Sequence, residues 1–350
     1  MVSNMSAIRL RVASVTCATG FAFVRRRGSG NASISSTAIS ETAPFWPESS
    51  RKRLRELVTL SLQIKSIFSG HPIAIAGLIG FVIFVLTALL APWIAPQNPY
   101  DLMVLDIMDG LLPPLSKLGN GTTSWLGTDA VGRDILSAVM YGLRLSLFVA
   151  FMATTVGSII GVFLGLLAAV KGGWVESVIM RAVDLKVSFP GILLALMMLA
   201  IFGTGVDKII YALIIGVWAS KARLTRSSAL SEMQKEYIDA ARISAIPNWR
   251  IMLKFLLPNS IAPVLVMIPM SLSGCIGAEA TLSFLGVGVP ITEPSLGLLI
   301  ANGNDYLLSG KWWISLFPGL VLVSLVLCIN VVADRIREHN NPFLKSINMQ

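Results

Sequence analysis

The chain has 350 residues and a formal net charge of +9 at pH 7; 54% of its residues are hydrophobic and only 13% are charged. Soluble proteins carry about 25% charged residues, so this composition excludes an ordinary soluble domain and predicts a membrane protein. Its two histidines and three cysteines lie far apart in the sequence, which excludes a disulfide framework, a zinc site and a histidine-based catalytic triad.

The N-terminal segment, residues 1–69, is predicted to be a cytoplasmic tail, largely disordered over residues 1–50. It is rich in Ser, Thr and Arg, and its first acidic residue is Glu41. Two interpretations are open. Arginine-rich, acid-poor composition is also typical of organellar transit peptides, whereas a disordered tail, or a region upstream of the true start, explains the same composition without targeting.

Residues 70–345 are predicted to form the membrane domain. Six apolar segments lie at about 72–94, 145–170, 187–206, 207–224, 258–287 and 312–333. A membrane-spanning helix needs about 20 mostly apolar residues, and five segments meet this length. The fourth is the weakest, because its uncharged run is short and is bounded by Lys208 and Lys221. Backbone groups in lipid must be paired within the segment, so we predict an all-α polytopic protein with six transmembrane helices.

The distribution of charge predicts the orientation. Basic residues outnumber acidic ones in the first 70 residues and in 221–254, whereas 95–144 is rich in aspartate. Because Lys and Arg concentrate on the cytoplasmic side, both termini and the loops 171–186 and 221–254 are predicted to be cytoplasmic. The 95–144 loop is then external, and six spans place both ends on one side.

A stripe of small residues runs along the second predicted span, with one small residue every four positions. Its members are Ala153, Gly157, Gly161, Gly165 and Ala169. Small residues at this spacing let helices approach closely in a membrane. The stripe therefore predicts either close packing within the chain or an interface with another subunit.

Glu279 is the one acidic residue deep inside an apolar run. A charged side chain in a span is costly and often functional. Three interpretations are open for it: it lines a transport pathway, it pairs with a basic residue of a partner subunit, or it lies in water at the outer membrane interface.

A polar stretch at 236–258 separates two apolar runs and is predicted to contain two short helices. Ser231 is placed to cap the first, which runs to about residue 244 and ends because Pro247 disfavours helical angles at the residue before it. Asn248 is placed to cap the second helix. The sequence 257–259, Leu-Pro-Asn, is expected to break the chain before the fifth span.

The side chains of the first of these helices suggest a contact surface. Glu236 and Asp239 share a face at a spacing of three residues, and Arg242 is within pairing reach of Asp239. Ala240 and Ala241 are small, so the backbone of a partner can approach them closely. The alternative is an ordinary amphipathic helix on the membrane surface.

The same stretch resembles the cytoplasmic loop of ABC-importer permeases, which has the form E-A-A, three residues, G, nine residues, I-x-L-P. Residues 239–241 stand at E-A-A, Ala245 stands at the glycine, and 255–258 stand at the final motif. In that family the loop docks on an ATPase subunit. The resemblance therefore implies a cytoplasmic ATPase-coupling loop over 221–258, with coupling residues Glu236, Asp239, Ala240, Ala241, Arg242, Ala245 and Pro258. Alanine resists the left-handed turn that glycine permits, so we expect the turn to be made differently, with Pro247 taking part.

A second stretch, 126–147, resembles the external motif LGTDxxGRDxxSxxxYGxRxSL of dipeptide, oligopeptide and nickel importer permeases. Its first half contains Gly127, Thr128, Asp129, Gly132, Arg133 and Asp134. The motif is interpreted either as a structural loop that caps the helix beginning near residue 134, or as a direct contact with a binding protein or substrate.

Further matches to the same permeases lie at 184–190, 218–226, 279–286 and 317–334, so the resemblance covers about 70–345. The chain is similar to the second permease subunit of such an importer. These resemblances imply a type I ABC-importer permease fold in the bacterial inner membrane, and a subunit that moves short peptides, or alternatively nickel or another small solute. The implied partners are a homologous permease, two ATPase subunits, a periplasmic solute-binding protein and membrane lipid, with no nucleic acid.

The chain itself is predicted to bind no cofactor and to have no catalytic or metal-binding residues. The nearest approach to a phosphate-binding loop, residues 165–171, has Val170 where the second glycine belongs. ATP and Mg²⁺ are therefore expected in partner subunits, and the chain is not expected to be an enzyme. Two rival classes remain. A self-contained secondary transporter often shows inverted repeats and intramembrane charge, and a structural or assembly protein would not need the coupling motif.

Overall fold

The computed structural model describes Phe68 and residues 71–101, 105–119, 121–290 and 292–339. The predicted N-terminal tail, apart from Phe68, and both chain ends lie outside these residues. The long helices are α1 (Pro72–Ile94), α2 (Ile135–Lys171), α3 (Gly173–Ser188), α4 (Gly191–Phe202), α5 (Val206–Glu232), α9 (Ala262–Phe284) and α11 (Trp313–His339). The predicted all-α class is confirmed.

Shorter elements connect these helices. They are a 3₁₀ helix (Ile107–Asp109), β1 (Ser116–Lys117), β2 (Thr123–Ser124), α6 (Glu236–Ile243), α7 (Asn248–Arg250), a π-helix (Ile251–Leu256), α8 (Leu257–Ser260) and α10 (Leu296–Asn304). The two strands are antiparallel, with Ser116 opposite Ser124 and Lys117 opposite Thr123.

Four helices of the described chain are long and apolar enough to cross a membrane, namely α1, α2, α9 and α11. They correspond to the segments predicted at 72–94, 145–170, 258–287 and 312–333. The pair α3 and α4 qualifies only when both helices are taken together as one bent span. The number of crossings therefore stays a prediction, while the polytopic class does not depend on it.

The segment predicted at 187–206 is not one continuous helix, so its predicted bounds are wrong, whereas the number of crossings stays open. Helix α4 has 12 residues, which at 1.5 Å per residue is too short for a hydrocarbon core about 30 Å thick. It meets α3 at an angle of 94°. The physical reason is Pro190, which keeps Phe189 in an extended conformation with φ −100° and ψ 136°.

The segment predicted at 207–224 is longer in the structure. Helix α5 has 27 residues and continues to Glu232. It is too strongly charged to qualify as a span by composition. The part of α5 from residue 221 onward was expected to belong to the 221–254 loop.

Helices α2 and α5 pack closely along the predicted stripe of small residues. A Cβ atom built on Gly161 would lie 2.5 Å from the carbonyl oxygen of Trp218, and one on Gly165 would lie 2.5 Å from that of Ala222. Any side chain at these two glycines would therefore collide with the α5 backbone. The stripe serves packing within the chain, the first of the two interpretations.

In the described part of the chain, three groups of buried apolar residues connect the helices, and the two larger ones involve most of the elements. The larger joins α2, α5, α9, α10 and α11 and includes Leu143, Ile209, Ile276, Leu296 and Ile314. The smaller joins the C-terminal parts of α2 and α5 to α6 and the π-helix, and we call it the coupling cluster; it contains Leu166, Ala169, Ala229, Ile238, Ala241, Ile251 and Leu256. Helix α6 is thus attached to the membrane domain by its own apolar face.

Candidate functional site

Helix α6 begins at Glu236, after a link of three residues from the end of α5, and its N-cap residue is Lys235. Ser231 lies in the last turn of α5, so the prediction that it caps the coupling helix is wrong. The reason is tertiary: Ala229, fully buried in the coupling cluster, and Glu232, which is 8% exposed, keep α5 helical past this serine.

The two alanines of the motif face opposite environments. Ala241 is 5% exposed and belongs to the coupling cluster, next to the fully buried Ile238. Ala240 is exposed, and so is Ile243, at 86%. The expectation that both alanines face a partner is therefore wrong for Ala241, because the apolar stripe of α6 points inward at that position.

The charged residues of α6 lie on its exposed side. Glu236, Asp239 and Arg242 are all exposed. The Nη1 atom of Arg242 lies 3.3 Å from Oδ1 of Asp239, so the predicted pair forms. An exposed pair of this kind adds little stability, which leaves both charges available to another protein.

Ala245 makes the turn that the sequence suggested it would avoid. Its φ is +54°, in the left-handed region. Its amide donates to the carbonyl oxygen of Arg242 at 2.9 Å, and the amide of Ile246 donates to that of Ala241 at 3.1 Å. These two bonds form a Schellman motif, in which Ile246 packs on the coupling cluster. The turn therefore has its usual geometry with an alanine in the glycine position, and that expectation was wrong.

The chain does not break at 257–259. Pro258 occupies the first turn of α8, and Leu256, Leu257 and Ile261 all keep right-handed helical angles. Proline removes a backbone donor. In this turn, Nδ2 of Asn259 donates to the carbonyl oxygen of Phe255 at 2.8 Å, so a side chain supplies a donor to a nearby carbonyl. The π-helix, α8 and α9 consequently follow one another without an extended residue.

The second predicted cap is also absent. Asn248 is the first residue of α7, and the N-cap position is Pro247, without a side-chain hydrogen bond.

Four side chains of the external motif are buried within the loop that contains them. Thr128, Asp129, Arg133 and Asp134 are between 0% and 3% exposed. Asp134 caps α2: its Oδ2 accepts from the backbone amide of Ser137 at 2.9 Å. The predicted cap near the start of this helix is therefore present.

Asp129 and the two glycines close the turn that precedes α2. Oδ1 of Asp129 accepts from the amides of Val131 and Arg133, each at 2.9 Å, and burial raises the pKa of this carboxyl. Gly127 and Gly132 have φ of +86° and +78°. A Cβ on Gly132 would lie 2.2 Å from a backbone oxygen, so no other residue fits there.

Thr128 ties the same turn to the preceding loop and to α11. Its Oγ1 donates to the carbonyl oxygen of Asp109 at 2.6 Å and accepts from the amide of Leu112 at 2.8 Å. Its own carbonyl oxygen accepts from Nε1 of Trp313 at 3.4 Å. The hydrogen bonds of these motif side chains are thus made within the chain.

Glu279 is fully buried within the chain, so the interpretation that it lies in water at the outer interface is wrong. Its Oε2 accepts from Oγ of Ser146 at 2.6 Å, and its Oε1 accepts from Oγ of Ser283 at 2.8 Å. The hydroxyl of Ser295 is a third partner. Buried carboxylates need such donors because isolated buried charge is very costly.

Lys221 was predicted to border a loop, but its side chain is buried. It is 0% exposed, and its Nζ donates to the carbonyl oxygen of Met267 on α9 at 3.2 Å. Lys221 lies one helical turn before Thr225, and both side chains lie beside the glycine stripe of α2.

Comparison with known proteins decides the family. Residues 161–346 match the family of binding-protein-dependent transport system inner membrane components, and residues 63–114 match the N-terminal transmembrane domain of oligopeptide transport permease C. The chain belongs to the family of binding-protein-dependent transport system inner membrane components. The predicted family is thereby confirmed, and the chain is a subunit of a transport system in a membrane.

Several relatives are similar over most of their length. The di/tripeptide transport system permease protein DppC of Pseudomonas aeruginosa is 36% identical over 280 residues, which is 80% of this chain and 91% of that protein. The dipeptide transport system permease protein DppC of Escherichia coli is 38% identical over 279 residues, 79% of this chain and 91% of that protein. An inward-facing structure of the MetNI methionine ABC transporter matches 59% of this chain and 98% of its own, with 23% identity and a TM-score of 0.46.

Proposed function

We propose that this chain is the permease subunit of an ATP-driven ABC importer that moves short peptides across the inner membrane of a bacterium. The observation that carries the proposal is that one face of helix α6 is buried and the other is exposed. Its inner face, with Ile238 and Ala241, is buried in the coupling cluster, while Ala240 and Ile243 on its outer face are exposed. A short helix that is fixed on one side and free on the other suits docking to a partner in water.

The partners follow from the family. We propose that a homologous permease completes the pathway, that two ATPase subunits bind ATP and Mg²⁺ and dock on α6, and that a periplasmic binding protein delivers the substrate. The permease holds no nucleotide itself. Closure of the ATPase pair shifts α6, and the membrane helices then alternate between outward- and inward-open states. The buried external motif acts in this scheme as a structural cap of α2.

Peptide is proposed as the substrate because the relatives with peptide transport in their names cover most of this chain. The test is uptake in a strain that lacks this gene. Complementation with the chain and the neighbouring transport genes is expected to restore uptake of labelled dialanine and not of labelled nickel. Uptake of nickel alone would show that nickel, and not peptide, is the substrate. Uptake of neither solute, with normal amounts of the protein in the membrane, would contradict an importer of these solutes.

Orientation has its own experiment. We propose six crossings with both termini cytoplasmic, so Ala130 and Gln234, both exposed, lie on opposite sides. In a variant without native cysteines, Ala130→Cys is expected to react with an impermeant maleimide in spheroplasts. Gln234→Cys is expected to react only after permeabilisation. Equal labelling of both sites in intact spheroplasts is incompatible with this topology.

A further inference from the structure

The hydroxyl group of Tyr237 on α6 lies between two other helices. It donates a hydrogen bond to Oε1 of Glu232, the last residue of α5, and it accepts one from Nδ2 of Asn259 on α8 at 3.2 Å. Helix α8 leads directly into α9. One hydroxyl therefore joins the coupling helix to the cytoplasmic ends of α5 and α9.

The hydrogen-bond acceptor at Glu232 is an ionised carboxylate that is held in place. Its carboxylate side chain is only 11% exposed, and its Oε2 lies 2.7 Å from Nζ of Lys235. The hydrogen bonds from Lys235 and then from Tyr237 lower the pKa of this carboxyl. Hydrogen bonds to an ionised acceptor are about twice as strong as neutral ones, so this end is the stronger of the two.

The Asn259 end is tied to the π-helix. The same amide nitrogen donates to the carbonyl oxygen of Phe255 at 2.8 Å, and the ring of Phe255 lies 6.5 Å from that of Tyr237, measured between centroids. Both hydrogen bonds and the ring contact therefore hold Tyr237 against the residues that precede α9. No polar contact of α6 other than these reaches α5 or α8 among the described residues.

The remaining attachment of α6 is apolar. Ile238 and Ala241 sit in the coupling cluster, and residues 233–235 link α6 to α5. Apolar burial is roughly proportional to area and has no preferred direction, whereas hydrogen bonds weaken steeply when their angle changes. The coupling cluster therefore keeps α6 in place, and the Tyr237 hydroxyl is the group that sets its angle.

We infer that Tyr237 is a positioning residue whose hydroxyl fixes α6 to the ends of α5 and α8, so that a displacement of α6 is passed to α5 and α9. The inference rests on the proposed function for its consequence in transport. Its geometric part, the orientation of α6 within the chain, holds for the isolated subunit as well.

The variant that tests it is Tyr237→Phe, which keeps the ring beside Phe255 and removes only the hydroxyl. The matched control is Tyr211→Phe on α5, where the side chain is 61% exposed. In the assembled transporter in proteoliposomes, Tyr237→Phe is expected to lower the dialanine transported per ATP hydrolysed about tenfold, since two hydrogen bonds are lost. Subunit content and ATPase rate are expected to match those of the control, while Tm falls modestly because two hydrogen bonds are lost.

A second measurement uses the subunit alone and so separates this inference from the proposed function. Spin labels on Ala240→Cys and Ser220→Cys, both exposed positions, report the distance between α6 and α5 in a variant lacking native cysteines. Tyr237→Phe is expected to broaden the distance distribution, whereas Tyr211→Phe leaves it narrow. An unchanged distribution overturns the inference whatever happens to uptake, and a broadened one with unchanged transport per ATP overturns the transmission role.

Discussion

Ser146 on α2 donates a hydrogen bond from its Oγ to Oε2 of Glu279 on α9 at 2.6 Å, although the two residues are 133 positions apart. Ser283 on α9 and Ser295, the N-cap residue of α10, complete the set of hydroxyls around the same carboxylate. One acidic side chain thus holds three helices together at a fully buried position. This cluster explains how a carboxylate is retained inside an apolar run.

Removal of that carboxylate is expected to destabilise the helix junction. Glu279→Ala leaves three buried hydroxyls without their acceptor, and each unsatisfied buried polar group costs about 1–3 kcal/mol. We expect a clear fall in Tm of the detergent-purified protein, with Glu279→Gln falling less because the amide keeps one oxygen acceptor. Glu236→Ala at an exposed position is the control. A Tm for Glu279→Ala equal to that of the wild type would show that the cluster does not join the helices.

The left-handed alanine after α6 offers a stabilising substitution. Ala245→Gly removes the steric cost of a φ of +54° and is expected to raise stability by about 1 kcal/mol. The control is Ser244→Gly, whose φ of −72° gives glycine no advantage. Thermal unfolding of both variants, measured in the same detergent, gives the comparison. A lower Tm for Ala245→Gly than for the wild type contradicts the assigned turn.

The two alanines of the coupling motif are expected to fail in different ways. Ala241→Glu places a charge in the coupling cluster without a partner and is expected to reduce folding and membrane level. Ala240→Glu changes an exposed position and is expected to leave Tm unchanged while it prevents co-purification with the ATPase subunits. Thermal unfolding and affinity purification measure the two effects. Normal ATPase binding by Ala240→Glu contradicts the proposed docking face.

The lowered pKa of Glu232 predicts that the stability of the folded chain depends on pH. The residue's pKa is lower in the folded chain than in the unfolded chain, because Lys235 and Tyr237 donate hydrogen bonds to it. The unfolded state therefore binds more protons in the window between the two pKa values, and stability rises with pH there. The contribution is complete above the unfolded pKa and is lost as pH falls through the folded one. The difference in Tm between wild type and Glu232→Gln should shrink through this acidic window; a constant difference disproves the assignment.

Features that depend on a few neighbouring residues followed from the sequence. Long apolar runs predicted α1, α2, α9 and α11, and residues 236–243 were correctly placed in a short helix that a proline follows. One of the two interpretations of the external motif was a structural loop that caps the helix beginning near residue 134, and Asp134 provides that cap. These features are local, because hydrophobic length, helical spacing and capping chemistry act over one or two turns.

Other features were decided only by contacts between distant parts of the chain. Helix α5 continues past Ser231 because buried residues on its inner face pack on α2, and the bend at Pro190 shortens the helix expected over 187–206. The burial of Ala241 and the exposure of Ala240 depend on the direction in which α6 meets the coupling cluster.

By itself, the sequence determined the family, the membrane class and the position of helix α6, because apolar runs and motif spacing are properties of neighbouring residues in the sequence. Tertiary structure alone decided that Glu279 is enclosed by serines from two other elements as well as its own, and that Tyr237 reaches both α5 and α8. The physical reason is that a hydrogen bond acts over about 3 Å in space, and no local pattern records which distant donor will be brought within that distance.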